Sequence, residues 1–294
     1  MTNHPKRTAT YLGPYTDSTR WDGFGVRPTD VFICTPPKCG TTWSQGITCM
    51  MIHGRADFKG ALVDISPWLE SDTHAIETVN KNLGTQTHRR CIKSHTPMDG
   101  ITYDPRATYI AVYRHPLDVH FSMRKHVANM NDDQLDHLFS GNPREDALMF
   151  INDTAPAGNC DHLTLDTFTQ HYKSFKKWQH LPNVHLFHYA DMRADLPAAM
   201  ARFAGILGYE FDAATMADLI KGASFGEMRK NANRFTPSAG MEVFKDDTKF
   251  FSSASSNKWE KHLTDADMAQ YGARMDQLVG SEDRRWLELG SGLT

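Results

Sequence analysis

A short apolar run that stops at two prolines constrains the fold of this chain more than any other feature. Residues 30–35 read DVFICT, and Pro36 and Pro37 then prevent the strand from continuing. Beyond Gly40, apolar side chains recur at the spacing of one helix face, at Trp43, Ile47, Met50 and Met51. A buried strand joined to a helix by a tight loop is the first half of a β-α-β unit. The pattern therefore predicts an α/β fold.

The same alternation of strands and helices continues along the chain. Further strands are predicted at residues 90–94, 108–113 and 184–189, each nearly all apolar or flanked by turn residues. Helix signals come between and after them, with Pro116 at a first helical position and a capping box at Thr264. Such alternation predicts one domain with a central parallel β-sheet flanked by helices.

The domain organisation follows from where this pattern begins and where it is interrupted. Residues 1–29 are polar and rich in Gly, Pro and Thr, and we interpret them as an N-terminal arm. Residues 30–294 form the predicted domain. Within it, residues 126–165 are rich in Asn, Asp, Gly and His and are predicted to be a mobile insert or lid.

Composition narrows the class of protein. The chain has 294 residues, and 32 Lys and Arg against 35 Asp and Glu give a net charge of −3, which argues against a nucleic-acid partner held by a basic face. No long uncharged apolar window occurs, so neither a membrane span nor a secretory signal is predicted. The five cysteines are scattered without a C-x-x-C pair. They predict reduced thiols, a cytoplasmic location and no zinc site.

The loop between the first strand and its helix is rich in groups that bind anions. Its sequence over residues 36–43 is PPKCGTTW. Gly40 lets the backbone approach a ligand closely, and the N–H groups of the following helix start carry the positive end of its dipole. Lys38 adds a charge, and Thr41 and Thr42 add hydroxyl donors. We predict a phosphate or sulfate site, with a solvated lysine in a Gly-Thr turn as the alternative. The loop is not a Walker A loop, because its lysine precedes the glycine.

A second anion site is predicted after the strand at residues 108–113. Arg114 follows that strand directly, and Ser122 lies on the helix that comes next. Both can reach one anion, the arginine through its planar fork. The alternative for Arg114 is an ion pair with Asp118, four residues further on.

His95 is the candidate general base. It stands at the carboxyl end of the strand at residues 90–94, two residues after Lys93 and in the crevice where ligands bind to open parallel sheets. A histidine with its ordinary pKa of about 6.5 accepts a proton near neutral pH. The histidines show no H-E-x-x-H or comparable spacing, so no metal is predicted.

These segments resemble three signatures of the cytosolic sulfotransferase family. That family uses 3′-phosphoadenosine 5′-phosphosulfate (PAPS) as sulfuryl donor. The matches are to P-K-S-G-T-T-W, with Cys39 in place of Ser, to R-[NH]-P-x-D-x-x-x-S and to [VIL]-K-[ST]-H-x-P. The resemblance implies that Arg114 and Ser122 grip the 3′-phosphate of the donor. It also implies a P-loop-like loop that holds the phosphosulfate end, made of Lys38, Cys39, Gly40, Thr41 and Thr42.

Later segments are similar to further family motifs. By this resemblance Tyr189 contacts the nucleotide, and Ser224 and Phe225 border the adenine. Trp43 packs on the adenine ring or, alternatively, belongs to the core. The resemblance spans residues 30–280.

The chain departs from the family in three places, one of which is Ala223 where the family's T-S-F motif has a threonine. Alignment on Trp259 puts Ser252, Ser253 and Ala254 where the family has an R-K-G triplet that holds the 3′-phosphate. Ser252 and Ser253 are then the predicted contacts, and four cations are candidates to supply the missing charge: Arg229, Lys230, Lys249 and Lys258. The family's dimerisation motif is not kept, so no oligomeric state is predicted.

The resemblance implies a sulfotransferase that moves a sulfuryl group from PAPS, without a metal, to a hydroxyl or amine of a small-molecule acceptor. His95 would remove the acceptor's proton, and Lys38 and Lys93 would neutralise charge. The acceptor is expected near residues 126–165 and three aromatic residues, Phe139, Phe150 and Phe250. The alternatives are a nucleotide-dependent kinase with an atypical phosphate loop and a catalytically idle nucleotide-binding module. A kinase would need carboxylates for Mg²⁺ near the loop, and an idle relative should have lost His95.

Overall fold

Four short parallel strands form one sheet at the centre of the computed structural model, which describes residues 4–131, 138–236, 243–251 and 256–291. The order across the sheet is β2-β1-β3-β4, so the first strand lies between the second and the third. The register pairs Val31 with both Cys91 and Thr108, and Tyr109 with Val184. The strands are β1 (Val31–Cys34), β2 (Cys91–Ser94), β3 (Thr108–Tyr113) and β4 (Val184–His188).

Helices follow and separate these strands. Most begin at a side-chain cap that the sequence supplies, such as Thr164 and Thr264, each in a capping box. The helices of the described residues are α1 (Thr41–His53), α2 (Leu62–Ile65), α3 (Ile76–Thr85), α4 (Pro116–Ala128), α5 (Pro143–Asn152), α6 (Leu165–Lys176), α7 (Tyr189–Ala194), α8 (Leu196–Leu207), α9 (Ala213–Ala223), α10 (Phe225–Lys230), α11 (Ala232–Phe235), α12 (Asp247–Phe250), α13 (Asp265–Val279) and α14 (Ser281–Leu289).

The sheet lies between two layers of helices. Alternate residues of β1 enter opposite cores, with Phe32 in one cluster and Ile33 in the other. The first cluster includes α6 and α13, and the second includes α1, α8 and α9. Burial on both faces explains why the strands are nearly all apolar. The predicted fold class, a single α/β domain with a central parallel sheet flanked by helices, is confirmed.

One strand is shorter than its apolar run suggests. Residues 184–189 were predicted to be extended, but Tyr189 begins α7. The reason is local, because the His188 ring accepts a hydrogen bond from the Ala190 N–H and so caps the helix one residue early.

The N-terminal residues and the predicted insert both contribute to the core. Trp21, in the arm, packs against Phe32 of β1 with ring centroids 5.1 Å apart. Within residues 126–165, α5 buries Phe150 and Ile151. A lid formed by this segment stays a prediction. No helix in the described part of the chain is long and apolar enough to cross a membrane.

Candidate active site

A cavity of about 750 Å³ opens where β1, β2 and β3 end. This is the edge at which open parallel sheets bind ligands. Cys39 is buried behind the cavity, and Ser252 and Ser253 lie outside the described residues. The remaining predicted site residues all line this one cavity: Lys38, Gly40, Thr41, Thr42, Trp43, Lys93, His95, Arg114, Ser122, Tyr189, Ser224 and Phe225.

The β1–α1 loop contains two residues with positive φ. Lys38 and Gly40 both adopt left-handed conformations, with φ of 66° and 102°. Gly40 is also the N-cap of α1 and offers no side chain to the N–H groups of the first turn, which leaves them available to a ligand. A Cβ at this position would lie 3.1 Å from Cδ2 of Tyr189, so the close approach also requires glycine.

Cys39 joins this loop to the second anion segment. Its thiol accepts a hydrogen bond from the backbone N–H of Arg114, and burial raises its pKa well above the ordinary value. The thiol is therefore protonated and faces the protein interior. Its contribution to donor binding can come only through the loop that it holds in place.

Lys38 and Lys93 are half-buried cations that repel each other. Burial lowers the pKa of Lys38 to about 7, with further lowering by Lys93, Arg114 and Lys258. Burial lowers the pKa of Lys93 to about 8, and its Nζ lies 4.3 Å from the centroid of the Trp68 ring. Neither lysine forms an ion pair with any carboxylate of the described residues. A bound polyanion would raise both pKa values and relieve the repulsion, so the site fits a phosphosulfate group.

His95 is held as the neutral tautomer that a general base requires. Its Nδ1 lies 2.6 Å from the carbonyl oxygen of Thr35, at the end of β1. Because a carbonyl oxygen can only accept, Nδ1 carries the proton and Nε2 keeps its lone pair. Burial, followed by the charge of Lys93, holds the pKa of His95 well below its usual value, so the ring is neutral at pH 7.

Arg114 both lines the cavity and forms an ion pair with Asp118, the two positions that the sequence offered for it. It lines the cavity, yet it is only 6% exposed and its guanidinium lies 3.6 Å from the Asp118 carboxylate. The same guanidinium lies over the Tyr189 ring, 4.6 Å from its centroid. The ion pair and the ring fix the orientation of a cation that still reaches the cavity.

Of the four candidate cations, Lys258 is the one that lies beside Arg114. The backbone N–H groups of Asn257 and Lys258 donate to the Asp118 carboxylate. Burial and the nearby Lys125 and Arg114 lower the pKa of Lys258 to about 8. By contrast, Lys230 and Lys249 pair with Glu227 and Asp246, and Arg229 is exposed.

Trp43 is both packed against the protein and exposed to the cavity. Its Nε1–H donates to the carbonyl of Ala223 at 2.8 Å, and its ring meets the Tyr189 ring edge to face at 5.5 Å. The side chain is thus anchored in the protein, while it also lines the cavity.

Two neighbours of the lysines were missed in the sequence. His126 accepts a hydrogen bond from Lys38, with its Nδ1 3.1 Å from Nζ, and its pKa is held well below the usual value by burial. It lies one helical turn after Ser122, so the spacing on α4 held a signal that points to the same cavity. Glu70 lies behind Lys93 in a stretch with no strand or helix pattern, and no local signal identified it.

The cavity also has a large apolar part. His120, which lines it, packs against the rings of Phe139 and Phe150 at 5.8 and 5.1 Å. Polar side chains are present as well, among them Asp161 and His162. The apolar lining includes Met123, Val127, Met130, Phe139, Met149, Phe150, Leu163, Val243 and Phe244.

Comparison with known proteins decides the family. The family model described as a sulfotransferase domain matches residues 28–281. The chain belongs to the sulfotransferase family. This membership confirms the predicted activity, sulfuryl transfer from PAPS, and it does not favour a kinase. In the described ranges, no three His, Cys, Asp or Glu side chains are grouped as metal ligands.

The sulfotransferase is similar to mycobacterial proteins over nearly its whole length. It is 32% identical to a glycolipid sulfotransferase of Mycobacterium bovis, over 95% of this chain and 94% of that protein. It is 26% identical to sulfotransferase 1E1 of Cavia porcellus, over 83% and 82% of the two chains.

Solved structures share the fold at low sequence identity. Mouse sulfotransferase SULT7A1, complexed with PAP, superposes with a TM-score of 0.70 at 19% identity and covers 92% of this chain and 91% of that one. A retinol dehydratase in complex with retinol and PAP has a TM-score of 0.69 at 18% identity, over 93% and 91%.

Proposed function

We propose that this sulfotransferase transfers the sulfuryl group of PAPS to a hydroxyl of an amphiphilic, glycolipid-like acceptor, with His95 as general base. The observation that carries the proposal is the Nε2 lone pair of His95 in a cavity that has both a cationic and an apolar lining. The hydroxyl is chosen over an amine because the mycobacterial relatives are named for glycolipids.

The two anionic ends of the donor match two groups of cations. Lys38, Lys93 and the N–H groups at the start of α1 would hold the phosphosulfate end. Arg114, Ser122 and Lys258 would hold the 3′-phosphate, with Lys258 in place of the family's R-K pair. When bound, the donor supplies the electrophilic sulfur and the phosphate leaving group.

His95 takes the proton of the acceptor hydroxyl at Nε2. The Thr35 carbonyl holds the ring in the required tautomer and stabilises the imidazolium that forms. Lys38 and Lys93 present positive charge where negative charge accumulates, and they do so before the reaction begins, which avoids a reorganisation cost.

The acceptor would occupy the apolar part of the cavity. Aromatic and methionine side chains suit a lipid chain. His162 provides a hydrogen-bonding group of the kind that a sugar requires, whereas the Asp161 carboxylate already accepts from Tyr15 and Thr16. A volume of about 750 Å³ lies within the range of ligand sites and is large enough for two partners to meet.

We also propose a cytoplasmic location. Support comes from the free thiols of Cys34, Cys39, Cys49 and Cys91, all buried in the core, which a reducing compartment would preserve. Fractionation of cells that express the protein, followed by immunodetection, tests this, and recovery outside the cytoplasmic fraction would contradict it.

Transfer of labelled sulfate from PAPS tests the reaction. Matched acceptor pairs, a free sugar and its long-chain alkyl glycoside, separate the amphiphilic class from soluble sugars. We expect kcat/KM to be higher for the alkyl glycoside, because burial of each methylene adds about 0.8 kcal/mol. Equal transfer to both members of each pair would reject the acceptor class.

The His95→Ala variant tests the base. Turnover should fall by roughly 10²–10⁴ while binding of the desulfated donor is retained. The matched variant His74→Ala removes another histidine of the cavity lining, one without a place in this mechanism, and should retain far more turnover. Turnover of His95→Ala within a few-fold of the parent would remove His95 from the reaction.

A further inference from the structure

Glu70 is a carboxylate buried completely behind the active site. It is 0% exposed, and it does not line the cavity. One oxygen accepts hydrogen bonds from Trp21 Nε1, at 2.7 Å, and from the Ser94 hydroxyl. Burial raises the pKa of Glu70, whereas the hydrogen bonds from Ser94 and Trp21 and the nearby Thr96 hydroxyl lower it and favour the carboxylate. The charge of a fully buried carboxylate is costly even when it accepts hydrogen bonds, so a cation nearby favours it.

Lys93 is the cation whose charge Glu70 favours. The carboxylate acts on Lys93 through space and raises its pKa against the effect of burial, although the two groups do not form an ion pair in the described structure. The other ionisable groups that interact with Glu70 are the thiols of Cys34 and Cys160, which are neutral. Arg90, directly before β2, is already paired with Asp30.

The surroundings of Lys38 differ from those of Lys93 in having no carboxylate. Both lysines are buried in one cationic group, and both face His95 and His126, which are neutral. Lys38 is opposed by three cations and has no carboxylate to offset them, and its pKa is about 7. Lys93 has Glu70, and its pKa is about 8.

Glu70 also reaches the turn that carries His95. The Ser94 hydroxyl donates to Glu70 and accepts from the backbone N–H of Thr96 at 3.2 Å. Leu69 and Lys93 are joined by a backbone hydrogen bond of 3.2 Å, so the segment that contains Glu70 runs along β2. The carboxylate is thus tied to the residues on both sides of His95.

We propose that Glu70 is a positioning residue that keeps the Lys93 ammonium charged and holds the Ser94–Thr96 turn in place without touching donor or acceptor. The inference rests on the proposed role of Lys93 in the proposed function. Its test therefore includes a readout that does not depend on turnover.

Glu70→Gln removes the charge but keeps the volume and the acceptor oxygen for Trp21 and Ser94. The comparison is made in a Lys38→Arg background, where the first cation keeps its charge, so kcat/KM for the donor falls as pH rises through the pKa of Lys93 in the free enzyme. Without the carboxylate that pKa falls, and the alkaline limb of the profile should move to lower pH by about one unit or more.

Two variants test whether the shift of the alkaline limb depends on Lys93. Trp21→Phe removes a hydrogen bond to Glu70 but keeps its carboxyl group, so the limb should move less than in Glu70→Gln. In a Lys93→Arg background, where the charge is permanent, Glu70→Gln should no longer move the limb. An equal shift in that background, or the same shift in Trp21→Phe, would overturn the proposal.

The pH dependence of amine labelling, read by mass spectrometry for each lysine, gives the second measurement. In the unmodified protein Lys93 should titrate above Lys38, and in Glu70→Gln this difference should shrink or reverse. If Lys93 titrates at or below Lys38 in the unmodified protein, the proposal is wrong even where Glu70→Gln does not fold. Because labelling needs no acceptor, this outcome is distinct from a failure of sulfuryl transfer.

Discussion

Lys38 and Lys93 illustrate how single residues prepare this site. Each ammonium group is partly shielded from water in the cavity wall. Neither forms an ion pair with a described carboxylate that would offset this loss of hydration. This loss of hydration lowers the pKa of both lysines, and a bound anion would raise both pKa values again. Donor binding should therefore be accompanied by proton uptake above about pH 7, where the two lysines begin to lose their protons in the free protein.

The Arg114→Ala variant tests how the 3′-phosphate is recognised. A bidentate arginine–phosphate pair contributes a few kcal/mol, so affinity for the 3′,5′-bisphosphate should fall on the order of 10²-fold. Affinity for adenosine 5′-monophosphate, which lacks the 3′ group, should barely change. Calorimetric titration of both nucleotides measures the difference.

Arg106 provides the matched control for that experiment. It is an exposed arginine paired with Asp104, away from the cavity, and Arg106→Ala should leave both affinities unchanged. Lys258→Ala should weaken the bisphosphate selectively, as Arg114→Ala does. Equal weakening of both nucleotides by Arg114→Ala would show that the residue does not recognise the 3′-phosphate.

At the scale of elements, the unit that matters is β1, its loop and α1. β1 is buried on both faces, so the loop starts from a rigid point. α1 begins and ends at glycines in the left-handed region, Gly40 at its N-cap and Gly54 at its C-cap. Only the first of these glycines faces the ligand cavity. Both glycines are therefore required by the backbone conformation, but only Gly40 is also required by the ligand cavity.

Gly40→Ala should impair both stability and donor binding. A residue other than glycine at φ 102° is strained by about 1–3 kcal/mol, and the new Cβ would press on Tyr189 at 3.1 Å. Gly54→Ala introduces strain at φ 64° with 3.9 Å to the nearest side-chain atom, Cε1 of Phe211. Thermal unfolding should show lower Tm for both variants, and calorimetry should show lost donor affinity only for Gly40→Ala. Unchanged donor affinity in Gly40→Ala would contradict an anion cradle in this loop.

At the scale of the whole molecule, the ligand cavity and a buried ion pair lie at opposite ends of the sheet. The carboxyl ends of the strands carry the cavity, and the amino ends carry a fully buried ion pair between Asp30 and Arg90. Arg90 also donates to the carbonyl of Gly25 at 2.8 Å, which ties the N-terminal arm to the start of the sheet.

Asp30→Asn should destabilise the protein without changing its chemistry. Removal of one partner of a buried pair leaves the other charge uncompensated, which costs about 3–5 kcal/mol. Denaturant unfolding should show this loss, while kcat/KM of the folded protein stays near the parent value. The double variant Asp30→Asn/Arg90→Met should recover part of the stability. A large fall in kcat/KM under conditions where Asp30→Asn is fully folded would show that the ion pair also influences the active site.

Short-range patterns were enough to predict the order of strands and helices, the loop between β1 and α1 and the place of His95. Each of these depends on residues within about ten positions of one another, where propensity, capping and the ends of parallel strands decide the outcome. The resemblance to known motifs then extended the prediction to the activity. Strand ends were less well predicted, as Tyr189 shows, since a single cap ended β4 early.

Contacts between distant parts of the chain came only from the tertiary structure. Glu70 lies 24 positions from Ser94 and 49 from Trp21, and no pattern in the sequence links them. The same holds for Lys258 beside Arg114, and for the hydrogen bond from Lys38 to His126, 88 positions away. Charge and burial at these residues depend on which elements pack together, and packing is decided by the folded chain as a whole because a side chain's sequence neighbours do not determine what covers it.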